Sequence, residues 1–157
     1  MSTQSVITHN CLVPQKELRD FMYGDNARFT AKSTLTGKHY TYKMNKVPVP
    51  DAPHTHNHHV ELLIGRDNVL DYMHIGDVVG GVGRSKKFIF LNGGDIIHSW
   101  SPSIRAIKFV VYHSFSRKAC PGLQIWRDTF CDNCGKLLTH PLSVEAKLGP
   151  VCRHLCG

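Results

Sequence analysis

The feature that most constrains this chain is a cluster of cysteines near its C-terminal end. Four of its six cysteines fall within residues 131–157, in the segment CDNCGKLLTHPLSVEAKLGPVCRHLC. Cys131 and Cys134 form a C-x2-C pair, and 17 residues separate Cys134 from Cys152. This spacing is typical of paired-cysteine zinc sites, in which the glycine after the first pair allows a tight turn around the ion. The segment therefore predicts one structural Zn2+ ion.

The spacing leaves the fourth zinc ligand open. Cys156 follows Cys152 by four residues, so one helical turn would align the two sulfur atoms. His154 is an alternative ligand, and His140 lies in the intervening segment. We predict Cys156, because structural zinc sites are often built from cysteines alone. A site closed by four protein ligands has no open position for water, so its role is structural rather than catalytic.

The balance of charged residues indicates the kind of partner. The 157 residues include 19 Lys and Arg against 12 Asp and Glu, which gives a net charge of +7 and a pI near 9.2. Such an excess attracts phosphate backbones and acidic protein surfaces alike. With 41% hydrophobic residues the chain can also build a core, so we do not expect disorder throughout.

The sequence predicts a soluble, cytoplasmic protein. No apolar run approaches the ~20 residues needed to cross a bilayer. The opening MSTQSVITHNC lacks the charged and apolar regions of a secretory signal. In a reducing compartment a metal explains the cysteines better than disulfides do.

The order of predicted elements indicates an α+β fold. Residues 12–23 predict a short helix, and residues 27–45 predict a β-hairpin with its turn at Thr36-Gly37. Residues 46–59 contain three prolines and four histidines, which predicts an exposed loop. The segment GGVG (80–83) is expected to be a flexible break between two of the predicted strands. Further strands are expected at 60–65, 72–79, 86–92 and 123–126.

The clearest predicted helix begins after Ser101, where Ile104, Ile107, Val111 and Phe115 recur at helical spacing. The fold class is therefore α+β: a small antiparallel β-sheet, one long packed helix and a C-terminal zinc-ribbon or knuckle-like module. The predicted divisions are an N-terminal helical segment (1–26), an α+β core (27–127) and the zinc-binding module (128–157).

Aromatic and basic residues are interleaved along the predicted hairpin. Such aromatics can stack on bases while Lys and Arg neutralise phosphates, although Tyr and Phe also favour strands and pack cores. The stretch GGVGRSKK (80–87) adds basic residues to a flexible loop but lacks the Walker spacing. The predicted contacts to nucleic acid or another partner are Arg28, Lys32, Lys38, Tyr40, Tyr42, Lys43, Arg84, Lys86 and Lys87.

Four histidines, His54, His56, His58 and His59, fall within six residues. Imidazoles at this density can bind zinc or nickel at a second, exposed site. A proline-flanked loop rich in histidine can equally be a solvated segment. Both interpretations stay open from the sequence.

We expect no catalytic residues. The metalloprotease, hydrolase and dinucleotide motifs H-E-x2-H, G-x-S-x-G and G-x-G-x2-G are absent. Cys11 and Cys120 are isolated thiols. Asp71, Asp95 and His98 could join a metal-dependent nuclease site, but their spacing does not require one.

The cysteine segment also resembles a known family. CDNCGKLLTHPLSVEAKLGPVC resembles the signature C-x2-C-G-R/K-x-L-T-x-P-x-S, followed by G-x-G-P-x-C, of a phage and mobile-element domain of unknown function. Lys147 stands where that signature has its first glycine. ARFTAKSTLTGKHYTYKM, ELLIGRDNVLDYMHIGDV and SPSIRAIKFVVYHSF resemble further segments of the long members, so the resemblance covers about residues 27–152. The resemblance implies that the chain is encoded by a phage or mobile element, in a family whose members commonly accompany DNA-metabolism genes. It implies no catalytic residues.

The leading hypothesis is a phage-encoded, non-enzymatic nucleic-acid-binding zinc protein. The first alternative is a phage inhibitor of a host enzyme or defence complex, such as a CRISPR effector, that acts by protein–protein binding. The second alternative is a metal-dependent nuclease. The sequence indicates neither a preference for DNA or RNA nor an oligomeric state.

Overall fold

The computed structural model describes residues 11–12, 16–82, 87–93, 101–114 and 122–156; the side chains of residues 11, 12, 16, 17, 52–55, 81, 82, 87, 155 and 156 are outside the description. Within these ranges the elements are β1 (Cys11–Leu12), α1 (Lys16–Met22), β2 (Asn26–Ser33), β3 (His39–Val49), β4 (Ala52–Leu63), β5 (Tyr72–Val82), β6 (Lys87–Asn92), α2 (Pro102–His113), β7 (Leu123–Arg127), β8 (Thr129–Phe130), β9 (Leu137–Leu138), α3 (Pro141–Ala146) and α4 (Pro150–Cys156).

The described strands form one large antiparallel sheet and one small hairpin. The large sheet has the order β1-β7-β2-β3-β4-β5-β6, and β8 pairs with β9 alone. The α+β class and the antiparallel sheet are thus confirmed. In the described ranges no helix combines the length and the apolar character that a membrane span requires.

One face of the sheet carries the main core. Apolar residues that alternate along the strands pack there against α1 and α2, because neighbouring strand residues point to opposite faces. The buried members include Leu18, Met22, Phe29, Tyr42, Met44, Val60, Ile104, Ile107 and Val111.

Helix α2 has the amphipathic pattern that its sequence predicts, but the one long helix that we expected is not shown, since α2 has 12 residues and is one of four helices in the described ranges. Ile104, Ile107 and Val111 are buried, whereas Arg105 and Lys108 are exposed. Phe115, the last residue of the predicted stripe, lies outside the described residues.

The predicted loop at 46–59 is wrong. Strand β3 continues to Val49 and β4 begins at Ala52, so most of this segment lies in the sheet. Pro48 is accommodated because the register of the two strands shifts between Pro48 and Val49, and such irregularities are where a strand accepts proline. The flexible break expected at GGVG (80–83) is wrong for its first three residues, since β5 continues to Val82; Gly83 lies outside the described residues.

The second face of the sheet, called here the outer face, is partly covered by residues 128–156. Thr30 and Thr41 point to this face and are buried nevertheless. Strand β7, the second strand from one edge of the sheet, pairs with β2 and leads directly into β8, so the chain enters the C-terminal module from this side of the sheet. The sheet is thereby the platform on which the cysteine cluster is built.

Candidate functional site

The first cysteine pair lies in the turn between β8 and β9. The Cys131 N–H donates to the Lys136 carbonyl at 2.7 Å, and the Gly135 N–H donates to the Cys131 carbonyl at 2.9 Å. Gly135 has a φ of 76°, a left-handed conformation that glycine adopts at little cost. These bonds form the knuckle that the C-x2-C-G sequence predicts.

The third cysteine comes from the first half of α4. The Asp132 N–H donates to the Lys147 carbonyl at 2.8 Å, which ties the knuckle to the end of α3. Lys147 caps α3 with a φ of 54°, so the chain reverses there and α4 follows within a few residues. This reversal brings Cys152 back to the knuckle.

The three sulfur atoms converge. Those of Cys131, Cys134 and Cys152 all lie within 4.8 Å of one another, and all three are free thiols. The Gly149 N–H lies 3.5 Å from the Cys131 sulfur, and the Asn133 amide nitrogen lies 3.3 Å from the Cys152 sulfur. N–H groups directed at sulfur stabilise the thiolate form, which is the form that binds metals. This group can hold a metal ion.

The pKa values of two of the cysteines move in opposite directions. The backbone N–H groups of Cys134 and Gly149 lower the pKa of Cys131 to about 6. At Cys152 the Asn133 amide favours the thiolate, but the Cys134 sulfur, burial and the Cys131 sulfur outweigh it and raise the pKa. One thiolate next to further sulfurs makes the next deprotonation costly unless a cation neutralises the cluster.

The described side chains leave the fourth ligand open. Cys156 ends α4 four residues after Cys152, but its side chain is outside the description. His154 is exposed and follows Cys152 by two residues, about 200° around the helix. The ring of His140 instead accepts the Leu142 N–H at 3.2 Å and caps α3. Neither histidine joins the described sulfur group.

The cysteine module is fixed to the sheet. Trp126 of β7 is buried in one cluster with Cys131, Leu138, Val144 and Cys152. The Thr30 hydroxyl donates to the Thr139 carbonyl at 2.8 Å, and the Asn68 amide donates to the Leu137 carbonyl at 2.8 Å. A sheet residue and the β4–β5 turn therefore both anchor strand β9.

Two of the predicted contact aromatics lie against the core. Tyr42 is fully buried and its hydroxyl donates to the Ser103 carbonyl of α2, so its predicted role in base stacking is wrong. Tyr40 is half-buried and packs against the same core. Tyr40 and Tyr42 are two residues apart on β3, so strand alternation places both side chains on the inner face of the sheet, which carries the main core.

Two of the predicted basic contacts are paired with carboxylates. Arg28 lies 3.2 Å from Asp128, and Lys43 lies 3.5 Å from Glu61. Both cations also lie over the ring of Tyr72, at 5.6 and 5.3 Å from its centre. A phosphate would have to compete with these partners.

The other predicted contacts divide into two groups. Lys38 is exposed and Lys32 is half-buried. The side chains of Arg84, Lys86 and Lys87 are outside the described residues. Of the nuclease candidates, Asp95 and His98 are also outside them, and the Asp71 carboxylate accepts the Asp67 N–H at 2.8 Å within the β4–β5 turn.

The histidines of the predicted cluster lie on strand β4, and their side chains do not all point to the same face of the sheet. His58 is buried on the inner face, with its ring 5.3 Å from that of Tyr23 and 6.2 Å from that of Phe88. Burial lowers the pKa of His58. His59 points to the outer face, and the side chain of His54 is not described. The four histidines therefore do not form one site.

Sequence reasoning missed a groove between the β4–β5 turn and the cysteine module. It has a volume of about 930 Å3, and its walls include Arg66, Val69, Lys136, His140 and Val151. Arg66 and Lys136 are 70 residues apart in the chain, so no local pattern could have joined them.

The rim of this groove is basic. Burial lowers the pKa of His140, and the nearby charges of His39, Arg153 and Lys32 lower it further. The His39 and His140 rings lie 4.7 Å apart. Positive charge from the sheet (Lys32) and from the module (Arg153) therefore lies near His140.

These features define an α+β protein with a candidate three-cysteine metal centre on an antiparallel sheet. No family model, no curated protein and no solved structure matches the chain. The resemblance to the phage signature therefore stays a prediction.

Proposed function

We propose that this chain is a phage-encoded, non-enzymatic nucleic-acid-binding protein whose groove is built on a zinc-stabilised module. One observation carries the proposal: exposed Arg66 and Lys136 line the groove from its two walls. A backbone that runs along the groove would meet a cation on each side, and phosphate contacts need charge rather than base-specific geometry.

The acidic residue among the described groove-lining side chains is Asp67. Its carboxylate accepts the N–H groups of Val69 and Leu70 at 2.8 and 3.0 Å, and these bonds lower its pKa. These bonds keep Asp67 ionised, so its one negative charge stands against the two positive charges of Arg66 and Lys136 in the groove lining. With Lys32 and Arg153 near His140, the groove and its rim keep an excess of positive charge.

Zinc suits the sulfur set, since thiolates favour Zn2+ in tetrahedral sites. Cys131, Cys134 and Cys152 would bind it, with Cys156 as the fourth ligand one helical turn after Cys152. The ion would cross-link the knuckle to α4 and so hold the groove wall that carries Lys136. Thiolate ligands of this kind persist in a reducing compartment, which supports a cytoplasmic location.

The test is binding to labelled single- and double-stranded DNA and RNA across a salt series. The logarithm of the affinity should fall linearly with the logarithm of the salt concentration, because bound cations release counterions. Arg66→Gln and Lys136→Gln should each reduce the slope by about 0.7–0.9. Arg105→Gln is the matched control, since Arg105 is exposed on α2, outside the groove. Absence of binding at low salt contradicts the proposal.

A second candidate function is inhibition of a host enzyme or defence complex by protein binding. The observation that favours it is the exposure of Val69 and Val151, 53% and 71%, on the walls of the same groove. Exposed apolar residues beside cations fit a protein surface better than a phosphate backbone. A host protein retained after nuclease treatment, and lost with Val151→Asp but not with Leu35→Asp, would favour this function. Leu35 is exposed outside the groove.

A further inference from the structure

A second group of possible metal ligands lies on the outer face of the sheet, in strands β4 and β5. His59, His74 and Asp77 each offer one ligand atom, and these atoms lie within 4.8 Å of one another. The His74 Nε2 and the His59 Nδ1 lie 3.2 and 3.6 Å from the same oxygen, Asp77 Oδ1. The side chains of His59, His74 and Asp77 keep 45, 42 and 33% of their surface exposed, so an ion can reach them from solvent.

A β-bulge produces this arrangement. His74 and Asp77 are three residues apart, and in a regular strand they would point to opposite faces. Between β4 and β5 the register shifts, so that Glu61 pairs with His74 while Val60 pairs with Gly76. The intervening Ile75 is buried, and both His74 and Asp77 then point to the outer face, as bulges commonly re-aim side chains.

Gly76 makes the bulge possible. A Cβ at this position would lie 2.3 Å from the Leu91 carbonyl oxygen and 2.7 Å from the Phe90 ring. Strand β6 therefore approaches the bulge as closely as it does because position 76 has no side chain. The three ligands lie on the paired strands β4 and β5 rather than on a loop.

The distances fit a shared ion, and His74 Nε2 at 3.2 Å from Asp77 Oδ1 is also within hydrogen-bond distance. Hydrogen bonds between nitrogen and oxygen are commonly ~2.7–3.2 Å long, and the His59–Asp77 separation of 3.6 Å is longer. Two ligands at about 2.05 Å from a tetrahedral ion are about 3.3 Å apart. The separations of 3.2 and 3.6 Å lie on either side of that value.

We propose that His59, His74 and Asp77 bind a divalent transition-metal ion at a site separate from the cysteine centre. Two imidazoles and one carboxylate suit Zn2+, Ni2+, Co2+ and Fe2+, and three protein ligands leave coordination positions open. This inference does not depend on nucleic-acid binding.

The open positions have room for a further ligand. A cavity of about 210 Å3 lies beside the two histidines, lined by Asn45, Val47, His59, Glu61 and His74. The Glu61 carboxylate is held by the Asn45 amide at 3.2 Å and by Lys43 at 3.5 Å. Glu61 therefore forms the wall of the cavity, where water or a small anion can complete the coordination of the ion.

The experiment is a calorimetric titration with Ni2+ of the untagged full chain, already loaded with zinc at the cysteine centre. One Ni2+ should bind per chain while elemental analysis shows that the zinc content is unchanged. Asp77→Asn and His74→Ala should each weaken Ni2+ binding by at least about tenfold. Asp77→Asn keeps the size of the side chain, so it tests the ligand even where His74→Ala disturbs folding.

His56→Ala is the matched control, because His56 lies on the same strand but on the face opposite to His59. It should leave the affinity for Ni2+ unchanged. Failure to bind Ni2+ overturns the proposal. Binding that survives both Asp77→Asn and His74→Ala also overturns it, because the ion would then be held elsewhere.

Discussion

The hydroxyl of Thr30 donates a hydrogen bond of 2.8 Å to the backbone carbonyl of Thr139, 109 residues later in the chain. Because a hydroxyl has one proton, the Thr41 hydroxyl donates in turn to Thr30, at 2.7 Å. Both threonines are buried although they lie on the outer face of the sheet. This short chain of hydrogen bonds joins the hairpin to the cysteine module.

Thr30→Val keeps the shape of the side chain but leaves the Thr139 carbonyl and the Thr41 hydroxyl without this partner. A buried unsatisfied polar group costs about 1–3 kcal/mol, so the free energy of unfolding should fall by that amount. Urea unfolding measures it. Thr129→Val, at a half-buried position in β8, is the control and should change stability by less than about 0.5 kcal/mol. Equal effects at the two positions would contradict the proposed anchor.

Cys156→Ser should weaken zinc binding on the order of 100-fold or more, because it removes a ligand rather than an outer partner. His154→Ala should leave the affinity unchanged, since His154 is exposed on the other side of α4 from Cys152. The intensity of sulfur-to-cobalt charge transfer in the Co2+-substituted chain reports the number of thiolates. A cysteine module that folds normally without metal would rule out a structural zinc.

Lys147→Gly should stabilise the chain by about 0.5–1 kcal/mol. Lys147 has a φ of 54°, and glycine is the residue that this helix-ending conformation favours. Glu145→Gly is the matched control of opposite sign, because Glu145 is an exposed residue within α3, where glycine destabilises. Urea midpoints of the two variants should move in opposite directions. A destabilised Lys147→Gly chain would show that the lysine side chain itself is needed.

His58 should make the chain less stable in acid. Burial lowers the pKa of His58 below that of the unfolded chain, about 6.5. The neutral form is favoured in the folded state, so this stability is present above about pH 6.5 and is lost as the pH falls below it. Urea midpoints at about pH 7.5 and 5 measure the loss. It should be smaller in His58→Leu than in the His56→Leu control; equal losses would show that other groups cause it.

Tyr42→Phe should lower the free energy of unfolding by about 0.5–1.5 kcal/mol, because it removes the buried hydrogen bond from the tyrosine hydroxyl to the Ser103 carbonyl of α2. Under native conditions it should leave nucleic-acid affinity unchanged, since Tyr42 has no exposed surface. Tyr40→Phe, at a half-buried position on the same strand, is the control for stability and should cost less than about 0.5 kcal/mol. Equal losses of stability in the two variants would show that the hydroxyl bond to Ser103 is not the cause.

The elements that the sequence predicted well are those defined by short-range patterns. Alternation along 27–45 identified the hairpin, and the spacing of Ile104, Ile107 and Val111 identified the buried face of α2. The knuckle around Cys131 and Cys134 followed from its spacing and from Gly135. Each of these signals lies within about one turn or one hairpin, where local geometry decides the structure.

The elements that the sequence predicted wrongly depended on strand pairing and packing rather than on local residue preferences. Residues 46–59 were expected to form a loop because of their prolines, but residues 46–49 pair with residues 52–58 of the same segment, and residues 57–59 also pair with β5. Tyr42 was expected at the surface, yet α2 covers it. Tertiary packing overrides local propensity in both cases.

The sequence by itself determined the class of the fold, the excess of positive charge and the cysteines that can hold a metal ion. Only the tertiary structure decided which basic residues share a surface, since Arg66 and Lys136 meet across a groove that neither segment forms alone. It also decided that His59, His74 and Asp77 converge, because a one-residue bulge in β5 places His74 and Asp77 on the same face of the sheet. Spacing along a chain determines local geometry, whereas contacts between strands depend on register, which no single segment encodes.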